Sequence, residues 1–162
     1  MQYVIFDLDN TIINSKHRKL TRADGTIDLD HWIENNTPEK VQKDTLLPCV
    51  ETLRKDYAAG CKIIICTSRV LGVHDYEFFM LNDVPYHIML DRPMGSHAAD
   101  ADLKEFLLRN YVHQNLNCTW AQFCLMSMLY DDSESVLERM HKIRMPTIDA
   151  ILWNKRLQVL AA

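Results

Sequence analysis

The sequence predicts an α/β fold: a three-layer sandwich around a central parallel, Rossmann-like sheet, with a minimal cap or none. Two observations carry this. Four short apolar runs, YVIF (3–6), KIIIC (62–66), HIML (87–90) and LMSMLY (125–130), have the length and composition of strands buried on both faces. Helical patterns separate them, and strands that alternate with helices form open sheets with right-handed crossovers. A weaker fifth run spans Ile148 to Leu152.

The helices follow from spacing and punctuation. Pro48 to Ala59 carries Val50, Leu53 and Tyr57 on one side, opens on a proline and stops before Gly60. Val73 to Leu81 is a second helix. Ala98 to Val112 is a third, with Leu103, Phe106, Leu107 and Tyr111 on one side, and Ser133 to Lys142 a fourth, with Ser133 as N-cap. Ile13 to Thr45 is less regular. It holds a turn signal, ADGT (23–26), and one short segment around His31-Trp32-Ile33, too short and polar for a core of its own. Asn115 to Gln122 has no pattern, and Trp120 within it no evident partner.

At 162 residues, the chain is expected to form one domain over 1–162 with a substantial core. A hydrophobic content of 48% and a net charge of −4 are ordinary for a soluble globular protein and exclude whole-chain basicity of the nucleic-acid-binding kind. The N-terminus lacks the regions of a signal peptide, and no run is long enough to cross a membrane. The five cysteines are odd in number and form no CxxC pair, which points to reduced thiols in a cytoplasmic setting. The histidines lack HxH or HxxxH spacing, so a structural zinc site is not expected.

In open α/β sheets, function gathers at the carboxyl ends of the strands. The first run is followed by Asp7, Asp9, Asn10 and Thr11, the second by Thr67, Ser68 and Arg69, the third by Asp91 and Arg92, the fourth by Asp131 and Asp132. Asp7 and Asp9 stand one residue apart although like charges raise each other's pKa. That arrangement makes sense if a cation sits between them, or if one carboxylate attacks while the other moves protons. Clustered carboxylates suit a hard cation such as Mg²⁺, and hydroxyls at a helix start suit a phosphate. Together they imply phosphoryl transfer, with water or a carboxylate as nucleophile.

FDLDNT, IIICTSR, Lys104 in ADLKEFLL, and LYDDSESV, in that order, resemble the four motifs of the haloacid dehalogenase (HAD) superfamily of phosphohydrolases. The resemblance implies Asp7 as the nucleophile, Asp9 as general acid and base, and Lys104 as the group that neutralises the nucleophile and phosphate. Thr67, with Ser68, Arg69 and Arg92 nearby, would bind substrate. Mg²⁺ would be held by Asp7, Asp131 and the backbone carbonyl of Asp9, with Asp132 acting through a metal-bound water. Asn10 and Thr11 would shape the turn.

A narrower resemblance links LDRPMGSHAADADLKEFLL to the 3′-phosphatase domain of phage polynucleotide kinase-phosphatase, although CTSR stands where SGR is usual and no GxxxxGK[ST] kinase motif occurs. It implies a phosphorylated nucleic-acid end as substrate and a bacterial or phage-infected host cytosol. A 5′-nucleotidase for (deoxy)nucleoside monophosphates is the alternative enzyme. A catalytically idle phosphate- or nucleic-acid-binding module is the alternative of another class. Trp32 could stack on a base, although it and Trp120 are more often packing aromatics. Taken singly, Asp131-Asp132 reads as a helix N-terminal acidic pair and Lys104 as a solvated lysine. His74 and His97 read as surface residues.

Overall fold

The computed structural model describes residues 2–20, 22–23 and 27–161. Positions 24–26 of the expected ADGT turn lie outside the described residues. The central sheet has five strands: β1 (Tyr3–Phe6), β4 (Lys62–Cys66), β5 (Ile88–Leu90), β6 (Ser127–Asp131) and β7 (Thr147–Asp149). Their order is β5-β4-β1-β6-β7 and every pairing is parallel. From β1 the chain builds outward to β4 and β5, then crosses to the other side for β6 and β7. The topological switch point therefore lies at the carboxyl end of β1, where such sheets open a crevice.

Alternation along the strands sorts the core onto two faces. Val4, Phe6, Ile63 and Ile65 pack against Val50 and Leu53 of α3 (Cys49–Ala58) and Phe78 and Phe79 of α4 (Val73–Leu81). Ile5, Ile64, Cys66 and Leu129 pack against Leu108 and Tyr111 of α5 (Asp100–Asn115), Phe123 of α6 (Trp120–Met126), and Val136 and Met140 of α7 (Glu134–Lys142). A last helix, α8 (Ala150–Leu160), follows β7 directly and places Trp153 against the first face. This is the three-layer α/β sandwich read from the sequence.

Two boundaries differ from expectation. Leu125 and Met126 end α6, and β6 begins at Ser127. The apolar run is continuous across the junction, so hydrophobicity could not divide it, whereas the Thr119/Gln122 capping box marks the helix start. The fifth strand ends at Asp149, whose side chain accepts the Ile151 and Leu152 N–H groups and turns the chain into α8. Trp120 packs on Phe123 and Arg109 and is a core-edge aromatic.

Between β1 and α3 lies a small insert. Strands β2 (Ile13–Asn14) and β3 (Thr45–Leu46) pair antiparallel, with a 3₁₀ turn at Lys16–Arg18 and the short helices α1 (Leu29–Glu34) and α2 (Pro38–Val41) between them. Val41 and Leu46 join the core of the main sheet instead of forming their own. The cap is minimal in that sense. Among the described residues, no helix is long and apolar enough to cross a membrane.

Candidate active site

The site begins where β1 ends. The Asp7 N–H donates to the Tyr130 carbonyl at 3.0 Å, so the carboxylate leaves the sheet at the switch point. The chain then turns through Asn10, whose φ of 59° is left-handed, a conformation asparagine tolerates better than most residues. Asn154 of α8 fixes the turn by donating to the Thr11 carbonyl at 2.9 Å and accepting the Cys49 N–H at 2.7 Å. Asn10 reaches across to β6, donating from Nδ2 to Asp132 Oδ2 at 2.9 Å.

Lys104 lies on α5 and is 3% exposed, so it is not the solvated lysine its helix alone suggested. Its ammonium donates to Asp7 Oδ1 and to Asp131 Oδ2, each at 2.6 Å. Asp7, Asp131 and Asp132 bring one carboxylate oxygen apiece within 4.8 Å of one another. Burial is the main reason the Asp7 carboxyl is pushed well above its ordinary value. Asp131, Asp132 and Asp9 add to the rise, and Lys104 opposes it. Asp132 is also raised, chiefly by burial. Burial disfavours the charged form of Lys104, but Asp131 and Asp7 outweigh it and keep the ammonium charged.

Three carboxylates thus face one ammonium. Among the described residues no hydrogen bond reaches Asp7 Oδ2 or Asp132 Oδ1. An all-oxygen set with surplus negative charge fits a hard divalent cation such as Mg²⁺.

Asp9 faces the other way. Arg69 grips it in a fork, with Nε donating to Oδ2 and Nη2 to Oδ1, both at 2.8 Å, and Ser15 Oγ also donates to Oδ1. Burial pushes the Asp9 carboxyl up, but Arg69, Ser15 and Arg18 outweigh it and hold it below the ordinary range. Any metal contact by Asp9 is therefore left to its backbone carbonyl.

Behind this fork stand residues that no sequence motif groups together. Arg18 donates to Asp44 from Nε at 3.1 Å and from Nη2 at 2.6 Å. Arg18 and Arg69 both reach Asp75, and both guanidinium groups lie over the Trp32 ring, 4.3 and 4.7 Å from its centre. Trp32 lines the cavity but is only 2% exposed, and its ring is engaged by the arginines, which is the packing role such aromatics more often take.

The remaining expected residues fall around the same mouth. Thr67 is buried and its Oγ1 accepts the Arg69 N–H at 3.2 Å, while Ser68 lines the cavity. Arg92 donates to the carbonyls of Ser68, Ser96 and Ala98 and to Asp100, so it ties the loop after β5 to the start of α5. The cavity over the cluster measures about 590 Å³. Its floor includes Asp7, Asp9 and Lys104. One wall comes from the insert, through Lys19, Ile27 and Leu29, and another from His97 to Asp100.

Known proteins agree with this architecture. The Pnkp1/Rnl/Hen1 RNA repair complex contains a chain that superposes with a TM-score of 0.60 over 91% of this chain and 41% of its own length, at 18% identity. A HAD-superfamily hydrolase of subfamily IA from Geobacter sulfurreducens gives 0.58 over 91% of this chain and 85% of its own, at 14% identity. A hydrolase from Streptococcus pneumoniae TIGR4 gives 0.57 over 99% and 98%, at 12% identity. These likenesses establish a HAD-type fold. In sequence, the 5′-deoxynucleotidase of Escherichia phage T5 is 39% identical over 79 residues, which is 46% of this chain but only 32% of that protein's length. The family described as bacteriophage T5 5′-deoxynucleotidase matches residues 1–162, and the chain belongs to that family.

Proposed function

We propose that the protein is a Mg²⁺-dependent phosphomonoesterase that hydrolyses deoxynucleoside 5′-monophosphates through an aspartyl-phosphate on Asp7. The observation that carries this reading is the lysine-centred cluster. A buried carboxylate at the switch point shares Lys104 with Asp131 and opens into a cavity sized for a small ligand. A pure binder of phosphate has no use for a carboxylate there, because it repels the ligand.

Asp7 attacks the phosphorus, and Lys104 offsets the repulsion between nucleophile and phosphate. The Ser68 hydroxyl, buried without a partner in the protein, receives a phosphoryl oxygen at the mouth of the cavity. Asp9, ionised in the free site, takes up the proton of the substrate's phosphate monoanion and passes it to the departing 5′-oxygen, and the same carboxylate then takes a proton from the water that cleaves the acyl-phosphate. Asp7, Asp131 and the Asp9 carbonyl are the groups that would hold Mg²⁺, with Asp132 behind them. When bound, the ion supplies the positive charge that keeps Asp7 ionised and screens the incoming phosphate. Arg69 and Arg92, whose donors are taken up by protein partners, shape the site and do not contact substrate directly.

The family match favours the mononucleotide over the polynucleotide 3′-end. The insert supports the same choice, since Lys19, Ile27 and Leu29 wall one side of a cavity of small-ligand size. The test is phosphate release, with Mg²⁺, from deoxynucleoside 5′-monophosphates and from a 3′-phosphorylated oligonucleotide. Faster release from the monophosphates, abolished by EDTA, is expected. Preference for the oligonucleotide would make the protein an end-processing phosphatase, and silence on both would leave a binding module.

A further inference from the structure

Asp75 lies in the first turn of α4, is 1% exposed and does not line the cavity, yet it accepts four hydrogen bonds. Oδ1 takes Arg18 Nη2 at 3.1 Å and Arg69 Nη1 at 3.0 Å. Oδ2 takes the Gly72 N–H at 2.9 Å and Asn36 Nδ2 at 2.7 Å. One carboxylate thereby joins four segments: the 3₁₀ turn, the end of α1, the loop after β4, and α4. Approach is close here. A Cβ on Gly72 would lie 2.8 Å from Asn36 Nδ2, so a side chain there would push the Asn36 amide aside.

We propose that Asp75 is a positioning residue for Asp9, acting through Arg69 and making the placement of Asp9 depend on the insert. Arg69 spends Nε and Nη2 on Asp9, and a two-point fork alone leaves the pair able to swing as a unit. Nη1 is the third point, and Asp75 is its hydrogen-bond partner. Trp32 closes one side of the guanidinium, and Arg18, held by Asp44, occupies the far side of Asp75. The proposal rests on the reading of Asp9 as the proton donor, and it adds a residue that touches neither substrate nor Asp9.

Asparagine is the informative replacement. An amide can offer its oxygen to the arginines or to the Gly72 and Asn36 donors, but not to both. Either way one set of donors faces an N–H. The volume stays the same, and three carboxylates against two guanidiniums become two against two, so the variant is expected to fold.

The experiment compares two leaving groups. A deoxynucleoside leaves as an alkoxide and needs a proton, whereas p-nitrophenolate leaves without one. Asp75→Asn should lower kcat on a deoxynucleoside 5′-monophosphate by about 10-fold or more, part of the roughly 10²–10⁴-fold scale of proton catalysis. It should leave kcat on p-nitrophenyl phosphate within about 3-fold and KM nearly unchanged, repeating in milder form the selectivity of Asp9→Asn. Asn36→Ala is the second variant. It removes one donor to Asp75 together with a buried amide oxygen that has no partner, so the fold is retained. The same selectivity, at a few-fold, is expected.

Equal losses on both substrates, or none in either variant, would overturn the proposal and leave Asp75 a structural group. If the wild type hydrolysed p-nitrophenyl phosphate but no deoxynucleotide, the nucleotidase reading would fall, and β-glycerophosphate as the alkyl ester would still decide the role of Asp75. Silence on every phosphomonoester would overturn both.

Discussion

Two buried charge clusters meet at the end of β1 and are built on opposite principles. Around Lys104, two carboxylates share one ammonium and a third, Asp132, stands beside them. Around Arg18 and Arg69, two guanidiniums serve Asp9, Asp44 and Asp75 through a dense set of hydrogen bonds. Asp7 and Asp9 are two positions apart on one turn, yet the first is pushed up and the second held down. Residue type does not set these values; what faces each carboxylate does. An underbalanced cluster can receive a cation and a phosphate. One whose carboxylates are each gripped by a guanidinium holds its members still. A two-step phosphoryl transfer needs both, one to bind charge and one to keep a proton carrier in place.

The largest break in this comparison is Asp7→Asn. An amide cannot attack phosphorus, so turnover should fall by roughly 10³-fold or more, on the scale of losing a nucleophile, with unchanged circular dichroism. Substantial residual turnover would put the nucleophile elsewhere. Asp9→Asn comes next, with a loss of roughly 10²–10⁴-fold on deoxynucleotides and a smaller one on p-nitrophenyl phosphate. Uniform losses would remove its acid role.

Lys104→Ala tests the first cluster through stability. It strands two buried carboxylates and should cost about 3–5 kcal/mol in urea unfolding at neutral pH. Part of that should return on acidification or with millimolar Mg²⁺. A loss below about 1 kcal/mol, the scale of an exposed pair, would mean the pairing is not buried in solution.

The smallest effect separates the two aspartates by sign. Asp7 is raised in the folded state, so its contribution to stability is present at low pH and lost as pH rises through the folded value. Asp9 is lowered, so its contribution is present above the ordinary value of 3.8 and lost as pH falls through the folded value. In EDTA, Asp7→Asn should gain on the wild type as pH rises from 4 to 7. Asp9→Asn should be the less stable at pH 7 and close the gap toward pH 3. Parallel curves would mean the two carboxylates share one environment.

These clusters were unequally legible in the sequence. Asp7 and Asp131 could be found because each follows a recognisable strand, and Lys104 only through the resemblance to the HAD motifs. The strands themselves could be read because Ile63, Ile64 and Ile65 are buried on both faces. Arg69 and Arg92 were visible as charges at strand ends, but their protein partners were not. Asp44, Asp75, Arg18 and Ser15 had no local signal. Arg18 and Asp75 are 57 positions apart, and only the fold brings them together. Asp75 read alone is an ordinary acidic residue in a helix's first turn. The α6–β6 boundary was hidden in one apolar run, although the Thr119/Gln122 pair could have disclosed it.

The central claim is that Asp7 takes the phosphoryl group, and single-turnover trapping tests it most directly. Enzyme in excess is mixed with a 5′-[³²P]-deoxynucleoside monophosphate and Mg²⁺, quenched in acid within milliseconds, digested and mapped. The account predicts transient label on the peptide that contains Asp7, sensitive to hydroxylamine as an acyl-phosphate is, and absent from Asp7→Asn. Phosphate release at the full rate with no labelled peptide at any time, or label surviving in Asp7→Asn, would contradict it.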